Sequence, residues 1–404
     1  MNLGFVFRAV LPMLGIAGIL SPAAAQETAQ NTDHVQATLT GRVLYDSNVA
    51  RSDRATAASR GISPDDVIFS PTLALDASRT VAGFGVFLRG LAGYDFYRRN
   101  DHLNRENIDL SSGATTRFFI PCQQTVSGNY ARRQSDLLDL TTAVTENVET
   151  IKSVALDLGC NRPVGFSPSL TASETWTGNS SAALRTSDAQ TFSTTLDIGY
   201  NQPVIGKVSA FGRFTRTDFL HRVALVGTDL RTDGLRSYTA GLRYSRPIGA
   251  TLDVSISPSY TSLDPVLPNI SGFQGFSYEA QLGYRPITAL RMQLSFERTP
   301  RPLNRPDVTY ALQQTTMLVA DYSLGTRWSF QLGGSHTSND FHGTFVNPLD
   351  IRNEKLNEVF GVVRYALTND LSVSLDSRRQ DRDANISQFN YVSYQVSLSV
   401  RAAF

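Results

Sequence analysis

His336 and Ser338 stand two residues apart, and Asn353 and Asn357 follow a short way downstream. A histidine next to a serine can take the hydroxyl proton and leave a nucleophilic oxygen, and an asparagine can orient the imidazole. Such a group would suit ester hydrolysis. The plainer reading, a polar strand end, is preferred. Cys122 and Cys160 are the chain's only cysteines, 2 in 404 residues. In an exported protein they would meet conditions in which disulfides form. No HExxH, GxSxG, phosphate-binding glycine loop or CxxC motif occurs. His34, His102, His221 and His342 are scattered and form no metal-ligand pattern, so no cofactor or metal is expected.

The remaining charged residues need a scaffold to place them. The balance of 37 basic and 36 acidic residues offers no basic face for nucleic acid. Positive charge is carried almost wholly by arginine; the lysines are Lys152, Lys207 and Lys355. Arginine suits fixed, hydrogen-bonded positions better than a solvated coat. At the N-terminus, Arg8 precedes an apolar run from Ala9 to Leu20, broken by Ser21-Pro22 and followed by Ala23-Ala24-Ala25. This reads as a signal peptide over 1–25, cut before Gln26. The run falls short of the about 20 residues that a membrane-spanning helix needs. No long apolar stretch follows, which excludes a helical membrane protein. Residues 26–34 read as a short periplasmic segment. From 35 to 404 there is no linker and no shift of composition, so one continuous sheet is expected.

That sheet is written in alternation. Val392, Tyr394, Val396, Leu398, Val400, Ala402 and Phe404 share one face of the last strand, and Ser393, Gln395, Ser397, Ser399 and Arg401 share the other. Leu371, Val373 and Leu375 alternate with Ser372, Ser374 and Asp376 in the same way, as do Leu252, Val254 and Ile256 with Asp253, Ser255 and Ser257. The pattern predicts an all-β fold, a transmembrane antiparallel up-and-down barrel of eighteen strands. The strands fall at 35–48, 65–80, 83–99, 104–119, 123–136, 146–161, 165–178, 188–202, 205–220 and 233–247. The rest fall at 249–263, 273–287, 289–300, 308–324, 326–339, 354–367, 369–382 and 388–404. Short periplasmic turns, several carrying proline (Pro163, Pro203, Pro247, Pro286), alternate with longer polar outer loops such as 49–64, 179–187, 221–232, 301–307 and 340–353. Phe118, Phe166, Tyr200, Tyr244, Tyr284, Tyr322, Trp328, Tyr365 and Phe404 collect at one end of the strands, as an interfacial girdle would.

Strand parity then assigns faces. Facing a water-filled lumen are Arg42, Arg89, Arg117, Arg133, Arg213, Arg243, Arg285, Arg291, Arg327, Arg364, Arg378 and Arg401. With them are Asp95, Asp109, Asp157, Asp197, Asp253, Glu279, Glu297 and Asp376. These could form a polar path for a solute or a salt-bridge lattice within the wall. The mixture of signs indicates no strong ion selectivity. Phe87, Tyr97 and Phe211 also turn inward, where sugar rings could stack on them. Glu174 carries outward parity, which requires a bulge or, preferably, a place above the membrane. His336 and Ser338 face outward. Cys122 and Cys160 fall at one rim on neighbouring strands, close enough to bridge; two buried free thiols are the alternative.

Gly41-Arg42-Val43-Leu44-Tyr45-Asp46-Ser47-Asn48-Val49-Ala50-Arg51 resembles the first strand of the second group of β-barrel porins of proteobacteria. The likeness runs loosely over the barrel to the terminal phenylalanine. That family often belongs to exopolysaccharide clusters. The resemblance implies a channel in exopolysaccharide export, with a polysaccharide cargo, outer-membrane lipid around it and periplasmic polysaccharide-export proteins as partners. It supplies no catalytic residues. Tyr394, Val396, Leu398, Val400, Ala402 and Phe404 resemble the signal read by the barrel assembly machinery. The His-x-Ser pair resembles that on the outer wall of outer-membrane phospholipases, a remote alternative since no other stretch matches. The chief alternative is a general or solute-specific diffusion porin for small hydrophilic solutes, with 49–64 the longest loop available to fold inward. A plugged structural or adhesive barrel is a third.

Overall fold

A computed structural model describes residues 33–119, 121–135, 147–226, 229–268, 270–305, 308–343 and 351–404. The expected signal peptide, and most of the segment 26–34, lie outside these residues. Eighteen strands run in chain order: β1 (His34–Asp46), β2 (Asp66–Val81), β3 (Phe84–Tyr97), β4 (Arg105–Phe119), β5 (Cys122–Gln134) and β6 (Val148–Cys160). Next come β7 (Gly165–Asn179), β8 (Ala189–Gln202), β9 (Gly206–Val226), β10 (Asp229–Ile248), β11 (Leu252–Pro265) and β12 (Phe273–Ile287). The last are β13 (Leu290–Arg305), β14 (Val308–Leu324), β15 (Trp328–Gly343), β16 (Asn353–Ala366), β17 (Leu371–Ala384) and β18 (Tyr391–Ala403). Each pairs antiparallel with the next, and β1 pairs with β18. The sheet is therefore a closed barrel, and closure removes the edges that an open sheet would expose.

Successive side chains take opposite faces. On β18, Ser393 is fully buried while Tyr394 is 53% exposed. Across the barrel the outward set is aliphatic and uncovered: Leu39, Val43, Leu73, Leu196, Leu332, Val359 and Leu398 are all exposed. A continuous apolar belt of this kind is far larger than the patches soluble monomers leave in water, and lipid is the solvent that accepts it. No described helix is long and apolar enough to cross a membrane.

The two ends of the barrel differ. At one, the turn end, connections shrink to two to four residues. Ala82 and Gly83, both at positive φ (50° and 86°), form the two-residue turn between β2 and β3; that conformation matches the twist of the flanking strands. The expected aromatics ring this end, with Phe166 against Tyr200 (5.4 Å) and Trp328 against Tyr365 (4.5 Å). A second belt, not read from the sequence, rings the opposite, loop end: Tyr94 against Phe96 (4.6 Å), Phe214 against Tyr238 (5.1 Å) and Phe276 against Tyr278 (6.3 Å). Two aromatic belts bracketing an aliphatic zone mark the two faces of a bilayer.

Several boundaries depart from the sequence reading. Segments 221–232, 301–307 and 340–353 were expected to be loops, but β9, β10, β13 and β15 extend into them. Above the loop-end belt the hairpins stand in water and need no apolar face. Their residues keep no apolar–polar alternation, and the ladder is held there by backbone bonds together with local contacts such as the buried Arg222–Asp233 pair. Pro247 and Pro286 are the next-to-last residues of β10 and β12 and do not lie in the connections. Arg327 sits in the turn between β14 and β15, not on a strand.

Candidate functional site

The interior of the barrel is a polar wall built from the inward half of each strand. Cross-strand hydroxyl pairs recur along it: Thr115 with Thr125 (2.9 Å), Thr191 with Thr217 (3.0 Å), Thr239 with Thr261 (3.0 Å) and Thr315 with Thr337 (3.2 Å). Inward arginines meet carboxylates on neighbouring strands: Arg89 and Asp76 at 3.3 Å, Arg243 and Asp197 at 3.0 Å, Arg285 and Asp253 at 3.7 Å, Arg378 and Glu358 at 3.3 Å. Arg301 pairs with Glu297, and Arg382 with Glu354.

Every lumen candidate on a strand falls on this inward face by its ladder partners. Ser70 links Arg42 (3.5 Å) to Asp95. Arg213 donates to Thr195 at 3.3 Å. Asp157 accepts from Thr171 at 2.8 Å, and Asp376 from Ser374 and Ser397, each at 3.3 Å. Asp109 lies opposite Ala131, Arg117 opposite Gln123 and Arg133 opposite Glu149. Glu279 lies opposite Glu297 and Arg291 opposite Asp321. Arg364 lies opposite Ser329 and Ser374, and Arg401 opposite Thr40 and Ser372.

Phe87 and Phe211 also point inward, where Phe211 is buried and Phe87 half-buried. Phe87 lies opposite Gly113 and Phe211 opposite Gly241. A Cβ added at Gly113 would come within 2.6 Å of the Phe87 ring, and one at Gly241 within 2.8 Å of Phe211. Arg89 stands over Phe87 (5.5 Å) and Arg243 over Phe211 (5.0 Å). Phe360 repeats the device, opposite Gly333 and beneath Arg378 (5.9 Å). Ring, glycine and guanidinium together make a flat, closed-packed unit of wall. Tyr97 packs into the loops above.

Those loops narrow the mouth. Between β1 and β2 the chain folds inward through a short helix, α1 (Arg54–Ser59), whose first turn is capped by Asp53 accepting from the Thr56 amide at 2.7 Å. The loop is fastened to the inner wall by a buried ion pair, Arg51 with Asp46 at 2.7 Å. Ser393 and Gln395 each donate to Asp46 at 2.8 Å, so both carboxylate oxygens are engaged. Val49, Ala50, Ala57 and Ile62 then pack against Leu103, from the β3–β4 connection, and Leu184, from the β7–β8 connection. The loop thus reaches from the β18–β1 wall toward loops across the mouth. Burial, together with neighbouring Arg382, pulls the Arg60 guanidinium below its ordinary range. From the other side, Arg222 on the β9 extension donates to the carbonyls of Thr186 (3.2 Å) and Val308 (3.1 Å) and pairs with Asp233 (3.2 Å). Sequence reasoning named 49–64 as the loop able to fold inward but had no signal for its anchor. Asp46, Arg51, Ser393 and Gln395 become neighbours only when the barrel closes.

Cys122 and Cys160 are direct ladder partners on β5 and β6 and are joined by a disulfide, with Cα atoms 3.9 Å apart. Glu174 is reached without a bulge, since the β6–β7 and β7–β8 registers are unbroken. It bonds Gln190 on the outer face, at the level of the loop-end belt. His336 and Asn357 are hydrogen-bonded at 2.7 Å, also on the outer face. Among the described residues no hydrogen bond joins Ser338 to His336, so the nucleophile of the phospholipase-like arrangement is not engaged.

No curated protein matches the sequence. Among solved structures the chain is similar to the Pseudomonas aeruginosa porin OccK2 (OpdF), at 11% identity and TM-score 0.51, covering 92% of this chain and 98% of that one. The same porin in complex with glucuronate gives 12% identity and TM-score 0.50, with the same coverage. A BenF-like porin from Pseudomonas fluorescens gives 11% identity and TM-score 0.49, covering 93% of this chain and 100% of the other. At such identities the two OccK2 likenesses speak for the fold alone. A family model described as Putative beta-barrel porin 2 matches residues 176–404, more than half of the chain. The protein therefore belongs to that family and is a β-barrel porin of the Gram-negative outer membrane.

Proposed function

We propose that the protein is a passive channel for small hydrophilic solutes, in preference to a conduit for exopolysaccharide. One observation carries this reading: a wall lined mainly by hydroxyl and charged side chains, with a loop packed inward at its outer mouth on a buried Asp46–Arg51 pair. An 18-stranded barrel leaves a water-filled bore, and an inward loop sets the size of what passes. A polymer conduit asks for a clear bore and for open aromatic faces on which sugars can stack. The inward rings of Phe87 and Phe211 are covered instead by glycine backbone and arginine. Nothing in the wall calls for periplasmic polysaccharide-export partners.

On the same reading, residues 1–25 direct the chain out of the cytoplasm and are removed. The alternating face Tyr394, Val396, Leu398, Val400, Ala402 and Phe404 is then what the assembly machinery binds. The inward arginines and carboxylates line the solute path. The test is swelling of liposomes that contain the purified chain, in sugars of increasing mass, beside a deletion strain scored for surface polysaccharide. Swelling that falls off steeply above small oligosaccharides, with normal polymer output, supports the channel. Loss of surface polymer on deletion, without swelling in any sugar, contradicts it.

A further inference from the structure

The charges of the wall are not evenly satisfied. Most inward arginines have a carboxylate across the ladder, as Arg89, Arg243, Arg285 and Arg378 do. Among the described residues Arg117, Arg213 and Arg291 make no ion pair and stand singly on β4, β9 and β13, and Arg42, Arg364 and Arg401 make none either. Arg42, Arg364 and Arg401 fall in one sector, on β1, β16 and β18, with β17 between the last two. Their ladder partners on the same inward face are hydroxyls. Arg364 lies opposite Ser329 and Ser374, Arg42 opposite Ser399 and Ser70, and Arg401 opposite Ser372 and Thr40.

The register fixes how close the three stand. Arg42 and Arg401 are one strand and two residues apart; Arg364 and Arg401 are two strands and two residues apart. With strands about 4.8 Å apart and a rise of about 3.4 Å per residue, the Cα separations are about 8 and about 12 Å. Arginine side chains of that spacing can meet on one solute. Two carboxylates border the group, Asp376 on β17, which accepts from Ser374 and Ser397 at 3.3 Å each, and Asp95, which Arg42 reaches through Ser70; neither forms an ion pair with the three arginines, so three guanidinium groups stand against two carboxylates. The sector lies toward the turn end of the barrel, well below the anchored loop, with Arg364 and Arg401 each two residues from the end of its strand. Asp46, which holds the loop, is four residues up β1 from Arg42, and Gln395 is six residues up β18 from Arg401.

We infer that Arg42, Arg364 and Arg401, with the surrounding serine and threonine hydroxyls, form an anion-binding patch on the wall between the constriction and the turn end that makes the channel prefer small anionic solutes. The inference rests on the channel reading and adds the charge class of what passes. Guanidinium groups bind carboxylate and phosphate oxygens in pairs and stay charged at every working pH. Hydroxyls add donors without competing charge. A positive sector in a narrow polar bore raises the local concentration of anions. The paired arginines elsewhere do not contribute such a field, because their carboxylates cancel it.

The test is the reversal potential of the purified chain in planar bilayers under a potassium chloride gradient, and again with gluconate in place of chloride. The native chain is expected to reverse on the anion side, in gluconate as well as chloride. The variant Arg42→Ser/Arg364→Ser/Arg401→Ser is expected to lose that preference, its anion-to-cation permeability ratio falling several-fold. The corresponding lysine triple, which keeps the charge, is expected to retain it. If the serine triple fails to form a heat-modifiable barrel on a gel, the three single variants give the same reading as graded losses. A native chain that prefers cations or neither ion overturns the patch and leaves the channel standing. So does a serine triple that is as anion-selective as the native chain. A native chain that carries no current overturns the channel reading, and the patch with it.

Discussion

Asp46 is a carboxylate buried at the top of β1, and its acceptor sites are filled from both directions along the chain. Arg51 comes from the loop that follows, and Ser393 and Gln395 come from the last strand. Removing one member of a buried pair strands the other's charge, a loss on the order of 3–5 kcal/mol. Asp46→Ala is therefore expected to release the inward loop, visible as a larger single-channel conductance and as new protease cleavage between 47 and 65. Unchanged conductance would show that the loop does not narrow the bore. The disulfide is a second prediction at this scale. It closes a span of 38 residues, so its loss should lower barrel stability by about 4 kcal/mol. Cys122→Ser/Cys160→Ser should then lose its heat-modifiable gel form at a lower temperature than the native chain. Equal transitions would contradict this. The cysteine pair was legible in the sequence because alternation set the register of β5 and β6. The Asp46 cluster was not, because strand periodicity says nothing about where a loop side chain lands.

Among the elements, strands within the bilayer were legible almost residue by residue. Lipid on one side and water on the other force a strict alternation, as on β18 and β17. The same physics explains the failures. Beyond the loop-end belt, β9 and β10 run on to Val226 and from Asp229 through residues such as Asp229, Arg231, Thr232 and Asp233. Beyond the lipid the buried positions hold charged groups such as Arg222 and Asp233 as well as Val308 and Phe341, so the extensions leave no apolar–polar period. The loop-end aromatic belt was less legible, because its members stand within the strands and not at the ends where strands meet turns. Inside the wall, the ring-on-glycine unit makes a prediction. Gly113→Val puts a branched side chain where even a Cβ would meet the Phe87 ring and the Val126 carbonyl, both at 2.6 Å. Overpacking of this kind costs about 1–3 kcal/mol, although valine ordinarily favours strands. The heat-modifiable transition should fall. A transition at or above the native temperature would mean that Phe87 swings freely into the lumen and is available to a ligand after all.

The whole molecule turns its apolar side chains to lipid and keeps a hydrophilic lining around a bore. The sequence carried this inversion in its alternation, in the absence of any long apolar run and in the even strand number, which lets both chain ends meet at one rim. What it carried poorly was function. The resemblance at Gly41–Arg51 pointed to polymer export, yet that stretch runs from strand into the very loop that folds in to narrow the mouth. Single-channel recording of the detergent-purified chain in planar bilayers tests the account most directly. Discrete, ohmic conductance steps that grow in the Asp46→Ala variant are the predicted result. A native chain that inserts without conducting, or that stays soluble without detergent, would contradict it.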